Sequence, residues 1–319
     1  MSATSHKPLV VVLGATGGQG GSVIRALRGN PKYRLRGTTR NVEGTAAREL
    51  ANQGVEVVAA QLDDKASLLR AFRGASIVFA ATDFYETMRT SDSWHAMNVE
   101  YQRGVNIAEA AVEVPTLQHF IWSTLPSAHK LSQAQFFVPH FEAKAKVDEF
   151  IKSKPQLLEK TTFFWVSFFG DNLLKPTFRP LPSGRENHHL LLLPTSPDTR
   201  VGFIGDQRTN VGIFISAIIE QRERTLGKYV FGNVETLSWR DYMALWTSVT
   251  GKAVQIVEVT AAHYCEMFPN YGMEMISMFF FWNKYPDAAW SGENVLSAVD
   301  LGINDKLVGL RESLQALYQ

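Results

Sequence analysis

An apolar stretch that runs directly into a glycine-rich turn constrains the fold of this chain more than any other feature. Residues 9–13 read LVVVL, residues 14–21 read GATGGQGG, and residues 22–27 (SVIRAL) carry apolar side chains at helical spacing. Glycines at positions 14, 17 and 20 would let the backbone turn sharply after a strand, approach a pyrophosphate and pack a helix closely. The free N–H groups of the first helical turn would then face the phosphates. This context favours a dinucleotide-binding strand–turn–helix over an ordinary strand-to-helix turn, which a glycine triplet alone would also suit.

Composition excludes several other classes of protein. The chain has 319 residues, of which 45% are hydrophobic and 20% charged, as is typical of a globular protein. A formal net charge of +1 provides no overall basic field, so we expect neither nucleic acid nor a membrane as a direct partner. Cys265 is the single cysteine, which excludes an intrachain disulfide and a cysteine-based zinc site, and we expect no metal. Residues 1–8 lack the apolar core of a secretion signal, and no apolar window approaches ~20 residues, so the sequence predicts a cytoplasmic protein.

Strands and helices alternate along the first half of the chain. Short segments rich in apolar and β-branched residues predict strands at 34–40, 55–60, 76–81, 117–122 and 162–166. Segments with apolar residues at helical spacing predict helices at 92–114 and 140–151. This alternation predicts an α/β fold, namely a Rossmann-type doubly wound parallel sheet.

Prolines interrupt the alternation beyond residue 175, at positions 176, 180, 182, 194 and 197. Later segments predict helices at 211–220 and 239–249, with Asp206 and Ser238 as their N-caps. Strands are predicted at 228–231 and 254–259. We therefore predict an NAD(P)-binding Rossmann domain over residues 1–175, and a smaller C-terminal α/β substrate-binding lobe over residues 176–319 that is partly interleaved with it.

The end of the second predicted strand indicates which dinucleotide would bind. An acidic residue about 20 residues after the last motif glycine would accept a hydrogen bond from the 2′-hydroxyl of NAD. The sequence has Arg40 there instead. A guanidinium suits a 2′-phosphate by bidentate contact, so the sequence favours NADP. A solvated arginine at a strand end is the alternative interpretation.

Two further stretches bear on chemistry and substrate. His140 and Lys144 lie four residues apart in a predicted helix and share one face. An imidazole that titrates near neutral pH can act as an acid, whereas the alternative is that His140 only positions the helix. Residues 267–290 are dense in Met, Phe, Tyr and Trp, which is consistent either with core packing or with the apolar wall of a substrate cavity.

Several motifs, taken in their order, resemble the NmrA-like family of atypical short-chain dehydrogenases/reductases. They are the glycine-rich stretch 14–23, the TRN stretch at 39–41, TDFYE at 82–86, HFEAK at 140–144 and FFGDN at 168–172. The branch that contains fungal nitrogen-metabolite regulators and the human NADPH-sensing homologue is especially similar. The resemblance covers most of the chain and implies NADP(H) as the cofactor.

The resemblance also implies roles for individual residues. The diphosphate would be wrapped by Gly14, Ala15, Thr16, Gly17, Gly18 and Gln19. The 2′-phosphate would be held by Arg40 and Asn41, and the adenine would be flanked by Leu62 and by Gln61, which stands where the family usually has an acidic residue. The path of the ribose and nicotinamide would be lined by Thr82, Asp83 and Phe84, with Lys144 bonded to the ribose. The nicotinamide end would be closed by Phe169, Gly170, Asp171 and Asn172.

The resemblance gives the chemistry a specific form. Typical short-chain reductases use Tyr-x-x-x-Lys, in which the positive charge of the lysine lowers the pKa of the tyrosine. The corresponding pair here is His140 and Lys144, with Ser123 in the place of the helper serine. Lys144 would position the ribose, and His140, or a water held by Ser123, would donate a proton. The implied function is an NADPH-dependent oxidoreductase that reduces a small apolar carbonyl, enone or imine.

Other classes of function stay open. The same His-x-x-x-Lys pair occurs in family members regarded as cofactor sensors. The chain could therefore be an NADP(H)-binding redox sensor that controls a regulatory protein partner without turnover. A non-redox isomerase or cyclase that uses the same pocket is a third hypothesis, and a homodimer is compatible with each.

Overall fold

A sheet of parallel strands organises the structure, a computed structural model that describes residues 7–319. Residues 1–6 lie outside the described residues, and they include most of the segment 1–8 in which no secretion signal is predicted. The strands of the described part are, in chain order, β1 (Leu9–Val12), β2 (Arg34–Thr39), β3 (Glu56–Ala59), β4 (Ile77–Ala80), β5 (His119–Thr124), β6 (Thr161–Val166), β7 (Phe168–Phe169), β8 (Leu181–Pro182), β9 (His188–Leu193), β10 (Arg200–Gly205), β11 (Tyr229–Gly232), β12 (Glu235–Ser238), β13 (Ala253–Glu258) and β14 (Val295–Leu296).

Eight of these strands form the central sheet in the order β14-β11-β6-β5-β4-β1-β2-β3, and every neighbouring pair is parallel. β1 lies inside the sheet, with Val10 opposite Leu35 of β2 on one side and Ile77 of β4 on the other. Every residue of β1, β4, β5 and β6 is buried, which explains the largely apolar composition of these strands. The strand order reverses beside β1, and open parallel sheets bind ligands at the carboxyl ends of the strands at such a reversal.

Helices cover both faces of the sheet and alternate with its strands. The helices of the described part are, in chain order, α1 (Gly18–Leu27), α2 (Thr45–Asn52), α3 (Lys65–Phe72), α4 (Phe84–Met88), α5 (Ser93–Val112), α6 (Ala128–Leu131), α7 (Pro139–Lys152), α8 (Pro155–Leu158), α9 (Gln207–Glu220), α10 (Arg222–Thr225), α11 (Trp239–Thr250), α12 (Ala261–Met267), α13 (Gly272–Lys284) and α14 (Leu310–Tyr318). Of these, α1 and α9 pack on one face of the sheet, and α3, α5 and α7 pack on the other. The predicted Rossmann-type doubly wound α/β sheet is confirmed. Within residues 7–319, no helix combines the length and the apolar character needed to cross a membrane.

The part of the chain beyond residue 175 extends the central sheet and also builds a second layer. β11 and β14 continue the central sheet beyond β6. Two small sheets, β12-β10-β7 and β13-β9-β8, pack with α11 and α13 around a separate aromatic core. In that core the rings of Phe203 and Tyr242 stack with centroids 4.1 Å apart. The chain therefore passes between the two layers more than once.

Element boundaries follow the predictions closely except at two helix starts. Asp206 and Ser238 cap α9 and α11 as predicted, because their side chains accept hydrogen bonds from backbone N–H groups in the first turn. α1 begins at Gly18 and α9 at Gln207, four residues before the apolar periodicity begins, since glycine and polar residues in those turns leave no apolar pattern. β5 continues to Thr124, so Ser123 lies within the strand.

Two helix–helix contacts are close enough to require glycine. Where α9 crosses α1, a Cβ at Gly212 would lie 2.4 Å from the carbonyl oxygen of Ser22 and 2.7 Å from the Cβ of Ala26. The Gly212 N–H also donates to Ser22 Oγ at 2.8 Å. Where α5 meets α7, a Cβ at Gly104 would lie 2.4 Å from a methyl group of Val147. Each face of the sheet is thus covered by a helix pair in close backbone contact.

Gly212→Ala should lower the free energy of unfolding by about 1–3 kcal/mol, because the added methyl group forces α1 and α9 apart. Gly18→Ala is the matched control, since a Cβ at that position would meet only Gln207, at 4.0 Å. Urea unfolding of the two variants beside the wild type provides the measurement. If both variants unfold at the same urea concentration as the wild type, the crossing does not require glycine.

A buried carboxyl group on α7 makes stability depend on pH. Asp148 accepts hydrogen bonds from Thr124 Oγ1 at 2.7 Å and from the Tyr229 hydroxyl at 3.0 Å. Burial, only partly offset by these bonds and by the charge of Lys152, raises the pKa of Asp148 from 3.8 to about 8. Folding therefore takes up a proton between pH 3.8 and about pH 8, and the free energy of unfolding falls as the pH rises through this window.

Asp148→Asn, which keeps the shape of the side chain but cannot ionise, should remove this loss of up to about 1.4 kcal/mol per pH unit. We expect the variant to match the wild type at about pH 3, where Asp148 is protonated in both the folded and the unfolded state, and to exceed its stability increasingly up to about pH 8. Glu149→Gln, at an exposed position one residue further along α7, is the control and should keep the wild-type slope. Thermal unfolding at several pH values tests this, and an unchanged slope in Asp148→Asn would contradict it.

Candidate functional site

A cavity of about 970 Å³ follows the carboxyl edge of the central sheet, from the glycine-rich turn after β1 to α13. The turn and the ends of β2 and β3 line one part, and the segment after β4 lines the next together with α7. The segment after β6 and α13 line the remainder. The lining thus follows the order of the strands, and the cavity lies at the edge where the reversal of strand order predicts a ligand.

The glycine-rich turn requires glycine at two of its positions, 14 and 20. Gly14 has a φ of +62°, and a Cβ at Gly20 would lie 2.3 Å from the carbonyl oxygen of Gly14. Gly17, the N-cap of α1, provides no side-chain cap for the free N–H groups of the first turn. Gly14, Gly17 and Gly18 border the cavity. Bare backbone N–H groups at a helix start form a cradle suited to an anionic diphosphate.

Arg40 borders the part of the cavity beside β2 and is already paired with a carboxylate. Its guanidinium bonds with Glu86, whose second oxygen lies 3.4 Å from Arg103. Arg103 forms a bidentate pair with Asp63, with both N–O distances at 2.9 Å, and this pairing raises the pKa of Arg103. Glu86 engages one nitrogen of the guanidinium, so a phosphate that binds Arg40 would share it with this carboxylate or displace the carboxylate.

Lys144 borders the cavity as half of a buried ion pair. Its Nζ donates to Glu100 Oε1 at 2.8 Å, to Thr82 Oγ1 at 2.8 Å and to the Thr82 carbonyl at 3.1 Å. Thr82 Oγ1 donates in turn to Glu100 at 2.7 Å. Glu100 is only 2% exposed, and its Oε2 has no hydrogen-bond partner among the described residues. An ammonium has three N–H donors, so a bond from Lys144 to a ligand hydroxyl requires one of these contacts to be exchanged.

His140 borders the cavity and is held by a second buried acid. Oε1 of Glu274, on α13, accepts a hydrogen bond from the His140 backbone N–H at 3.1 Å and also bonds with Nδ1 of the imidazole. Glu274 is 2% exposed, and its Oε2 lacks a partner within residues 7–319. Three aromatic rings pack against the imidazole with centroids 4.7 to 5.7 Å away, those of Phe84, Tyr85 and Phe141. Glu274 and these three rings therefore hold the imidazole in place beside the cavity.

Tyr85 adds a neutral phenol to the same part of the cavity. Desolvation raises the pKa of Tyr85 well above 10, and the carboxylates of Glu274, Glu100 and Asp83 raise it further. Lys175 Nζ lies 5.7 Å from the centre of the phenol ring. The Tyr85 hydroxyl therefore stays protonated, and Tyr85 cannot act as a base near neutral pH.

The end of the cavity at α13 is apolar. The residues from the 267–290 segment that line it are Phe268, Tyr271, Met275, Met278, Trp282 and Trp290. Phe279 and Phe281, on the same helix, are completely buried in the aromatic core. Core packing and a cavity wall, the two interpretations of this segment, therefore both apply.

Most of the residues predicted for the cofactor site and the chemistry border this one cavity. They are Gly14, Thr16, Gly17, Gly18, Gln19, Arg40, Gln61, Leu62, Thr82, Asp83, Phe84, His140, Lys144, Phe169, Asp171 and Asn172. Residues from Gly14 to Asn172, which are 158 positions apart in the sequence, thus come together along the sheet edge, because consecutive parallel strands all end there.

Four predicted residues do not border the cavity. Ala15 is buried beneath the turn against Gly37, and Gly170 lies against the backbone of Gly205. The side chain of Asn41 accepts a hydrogen bond from the backbone N–H of Glu43 at 3.0 Å. Ser123 is 1% exposed and its Oγ donates to Gln19 Oε1 at 2.8 Å. Ser123 therefore meets the cavity only through Gln19.

Sequence reasoning missed the two acids that hold Lys144 and His140. Glu100 lies on the buried face of α5, and Glu274 is the only charged residue in 273–282. A single acid within an apolar helix face does signal a buried partner. The partners lie 44 and 134 residues away along the chain, and no local pattern connects them.

Comparison with known proteins places the chain in a family. The model of the NmrA-like family matches residues 6–307. The NmrA-like family domain-containing oxidoreductase hkm9 of Aspergillus hancockii is 32% identical over 186 residues, which are 58% of this chain and 52% of that protein, so the match spans about half of hkm9. The NmrA-like family domain-containing oxidoreductase cpsB of Aspergillus campestris is 26% identical over 262 residues, which are 80% of this chain and 76% of cpsB.

Solved structures share the fold. NmrA, a negative transcriptional regulator, is 20% identical with a TM-score of 0.76, and the match covers 98% of this chain and 96% of NmrA. The NADPH-dependent quinone oxidoreductase QOR2 of Escherichia coli is 16% identical with a TM-score of 0.71, over 98% of this chain and 100% of QOR2. Because the family model matches nearly the whole sequence, this chain belongs to the NmrA-like family.

Proposed function

We propose that this protein is an NADPH-dependent oxidoreductase that reduces a small apolar carbonyl, enone or imine. The observation that carries the proposal is the continuity of one cavity from a glycine turn suited to a diphosphate to an apolar wall on α13. Such a cavity suits a dinucleotide at one end and a hydrophobic substrate at the other. The relatives hkm9 and cpsB are named oxidoreductases, which supports the same class of reaction.

The residues of the cavity fit NADP(H). The glycine turn leaves room for a diphosphate against the uncapped start of α1, and Arg40 offers a guanidinium to a 2′-phosphate. Asn172 borders the cavity, and its buried Oδ1 lacks a hydrogen-bond partner among the described residues, as is expected of a polar group that a ligand amide would satisfy. When bound, NADPH would supply a hydride from its nicotinamide.

The chain's own residues would orient the ligands and move the proton. Lys144, held by Glu100 and Thr82, would position the nicotinamide ribose by exchanging one of its three contacts. His140 would hold the proton that the reduced substrate takes up. The part of the chain up to residue 175 would carry most of the cofactor site, and residues 176–319 would supply most of the substrate wall.

Cofactor preference tests the role of Arg40. Arg40→Ala should weaken NADPH binding by about tenfold or more and leave NADH binding nearly unchanged, because only NADPH offers a 2′-phosphate to the guanidinium. Glu86→Gln should instead strengthen NADPH binding by about two- to fivefold, since it frees Arg40 from a half-exposed ion pair. Calorimetric titration with each cofactor gives these dissociation constants.

Arg48→Ala is the matched control, because Arg48 is as exposed as Arg40 and is paired with Glu43 outside the cavity. It should change neither dissociation constant. An NADPH-to-NADH affinity ratio that is the same in Arg40→Ala and the wild type would remove Arg40 from the cofactor site.

Turnover tests the function itself. We expect the wild type to consume NADPH with members of a panel of aromatic enones, ketones and imines, followed by absorbance. Lys144→Met should lower kcat by more than it weakens NADPH binding, because Lys144 orients the ribose beside the reacting groups. Equal losses in both would leave Lys144 a binding residue only.

A double variant controls for folding. Lys144→Met leaves the buried Glu100 without its cation, a loss of about 3–5 kcal/mol, whereas Lys144→Met with Glu100→Gln removes both charges. The double variant should regain stability and stay inactive. Wild-type protein that binds NADPH and turns over no member of the panel would favour the redox sensor instead.

A further inference from the structure

We infer that Glu274 is a positioning residue for His140, which it holds with Nδ1 engaged so that Nε2 is presented to the cavity as the proton donor. This inference rests on the proposed function. Glu274 belongs to α13, in the layer that forms the apolar wall, and not to the strands and helices of the central sheet.

A single carboxylate oxygen fixes His140 at two points. Glu274 Oε1 accepts from the backbone N–H of His140 and bonds with Nδ1 of the same residue. An ionised carboxylate can only accept hydrogen bonds, so the hydrogen of this second contact belongs to Nδ1. The proton on Nδ1 and the orientation of the ring are thereby fixed, as a carboxylate fixes them for the histidine of a hydrolase triad, and Nε2 carries a proton to donate when the ring is the imidazolium.

The start of α7 explains why this position suits an acid. His140 is the second residue of α7, where backbone N–H groups lack intrahelical partners, and the N-cap Val138 has no side-chain oxygen to offer. Glu274 supplies the missing acceptor and places its negative charge at the positive end of the helix dipole. The same contact therefore orders the helix start and the ring.

The contacts of the imidazole leave Nε2 as the ring nitrogen that faces the cavity. Nδ1 is taken by Glu274, and the ring faces and edges pack against Phe84, Tyr85 and Phe141. Nε2 forms no hydrogen bond within the described part of the chain, and it is not among the fully buried unpartnered atoms there. Since His140 borders the cavity, Nε2 is the polar atom that it offers to a ligand.

A buried charge with an unsatisfied oxygen also needs an explanation beyond stability. Glu274 Oε2 is buried and has no partner in residues 7–319, in the middle of an apolar helix face. Lys144 cannot replace His140 as donor in the resting site, because Glu100 and Thr82 occupy its N–H groups. Glu100 therefore binds the ammonium group of Lys144, and Glu274 binds the imidazole of His140.

His140 would release a proton from Nε2 to the substrate and regain one from solvent. The Nε2–H bond of the imidazolium breaks and its electron pair stays on nitrogen. The proton would go to the substrate oxygen or nitrogen, and NADPH would become NADP⁺ by losing its hydride to substrate carbon, which is the carbon bonded to that atom in a carbonyl or imine and the β-carbon in an enone. Solvent then returns a proton to Nε2 through the open side of the cavity.

Nuclear magnetic resonance of the histidine nitrogens tests the positioning without turnover. In protein labelled with ¹⁵N-histidine, the His140 signals, assigned by their loss in His140→Gln, should show a proton on Nδ1 in the wild type. A neutral ring with its proton on Nε2 and a bare Nδ1 would overturn the inference, whatever the enzyme turns over.

Kinetics test the donor role. Glu274→Gln should lower kcat by about tenfold or more, with substrate KM and NADPH dissociation constant within about twofold to threefold of the wild type, because the charge that supports the imidazolium is lost while shape is kept. Glu274→Asp, which restores the charge on a shorter side chain, should regain part of kcat. Glu266→Gln, at an exposed position on α12, is the matched control and should keep the wild-type kcat.

These measurements distinguish the role of Glu274 from the proposed oxidoreductase function. Active wild type with an equally active Glu274→Gln overturns the role of Glu274 and leaves the oxidoreductase standing. Wild type that turns over no substrate overturns the oxidoreductase and the donor role together, while the nitrogen signals still decide how the ring is held. Loss of kcat in Glu274→Gln that Glu274→Asp does not reverse, together with a bare Nδ1, assigns the acid to structure alone.

Discussion

The close approach of Gly20 to Gly14 is the constraint on which the rest of the structure depends. Because no side chain can stand between these two residues, α1 starts directly over the end of β1. α1 then provides the surface that α9 crosses at Gly212, and the two helices together cover one face of the sheet. Glycine at positions 14, 17, 18 and 20 leaves backbone accessible above β1, so the cavity begins there and extends along the neighbouring strand ends.

Buried acids organise the middle of that cavity. Removing a carboxylate from water is unfavourable unless a cation or several hydrogen bonds replace the water. Glu100 meets this requirement with Lys144 and Thr82, and Glu274 meets it in part with His140. Each acid comes from a helix that packs beside the cavity, so the orientation of the polar groups depends on how α5 and α13 are packed as well as on the strand ends.

Much of the fold could be predicted because it is encoded locally. Apolar runs marked buried strands such as β1 and β4, and Asp206 and Ser238 marked two helix starts through a single side-chain bond each. The cavity-lining residues also followed from local motifs, since strand ends of a parallel sheet converge on one edge. The acids did not, because the contacts of Glu100 and Glu274 join segments that only the folded chain brings together. The contact of Ser123 could not be predicted for a related reason, because its hydrogen-bond partner Gln19 is 104 residues away.

The position of β11 and β14 in the central sheet has a consequence for synthesis of the chain. β6 pairs on one side with β5 and on the other with β11, which is made more than 60 residues later on the ribosome. Until then the emerging sheet has an open edge of unpaired backbone groups, and α1 lacks the cover of α9. Strand pairing across such sequence distances is slow and exposes the nascent protein to aggregation. A cell that makes this protein must therefore keep an incomplete sheet soluble for the time needed to translate about a fifth of the chain.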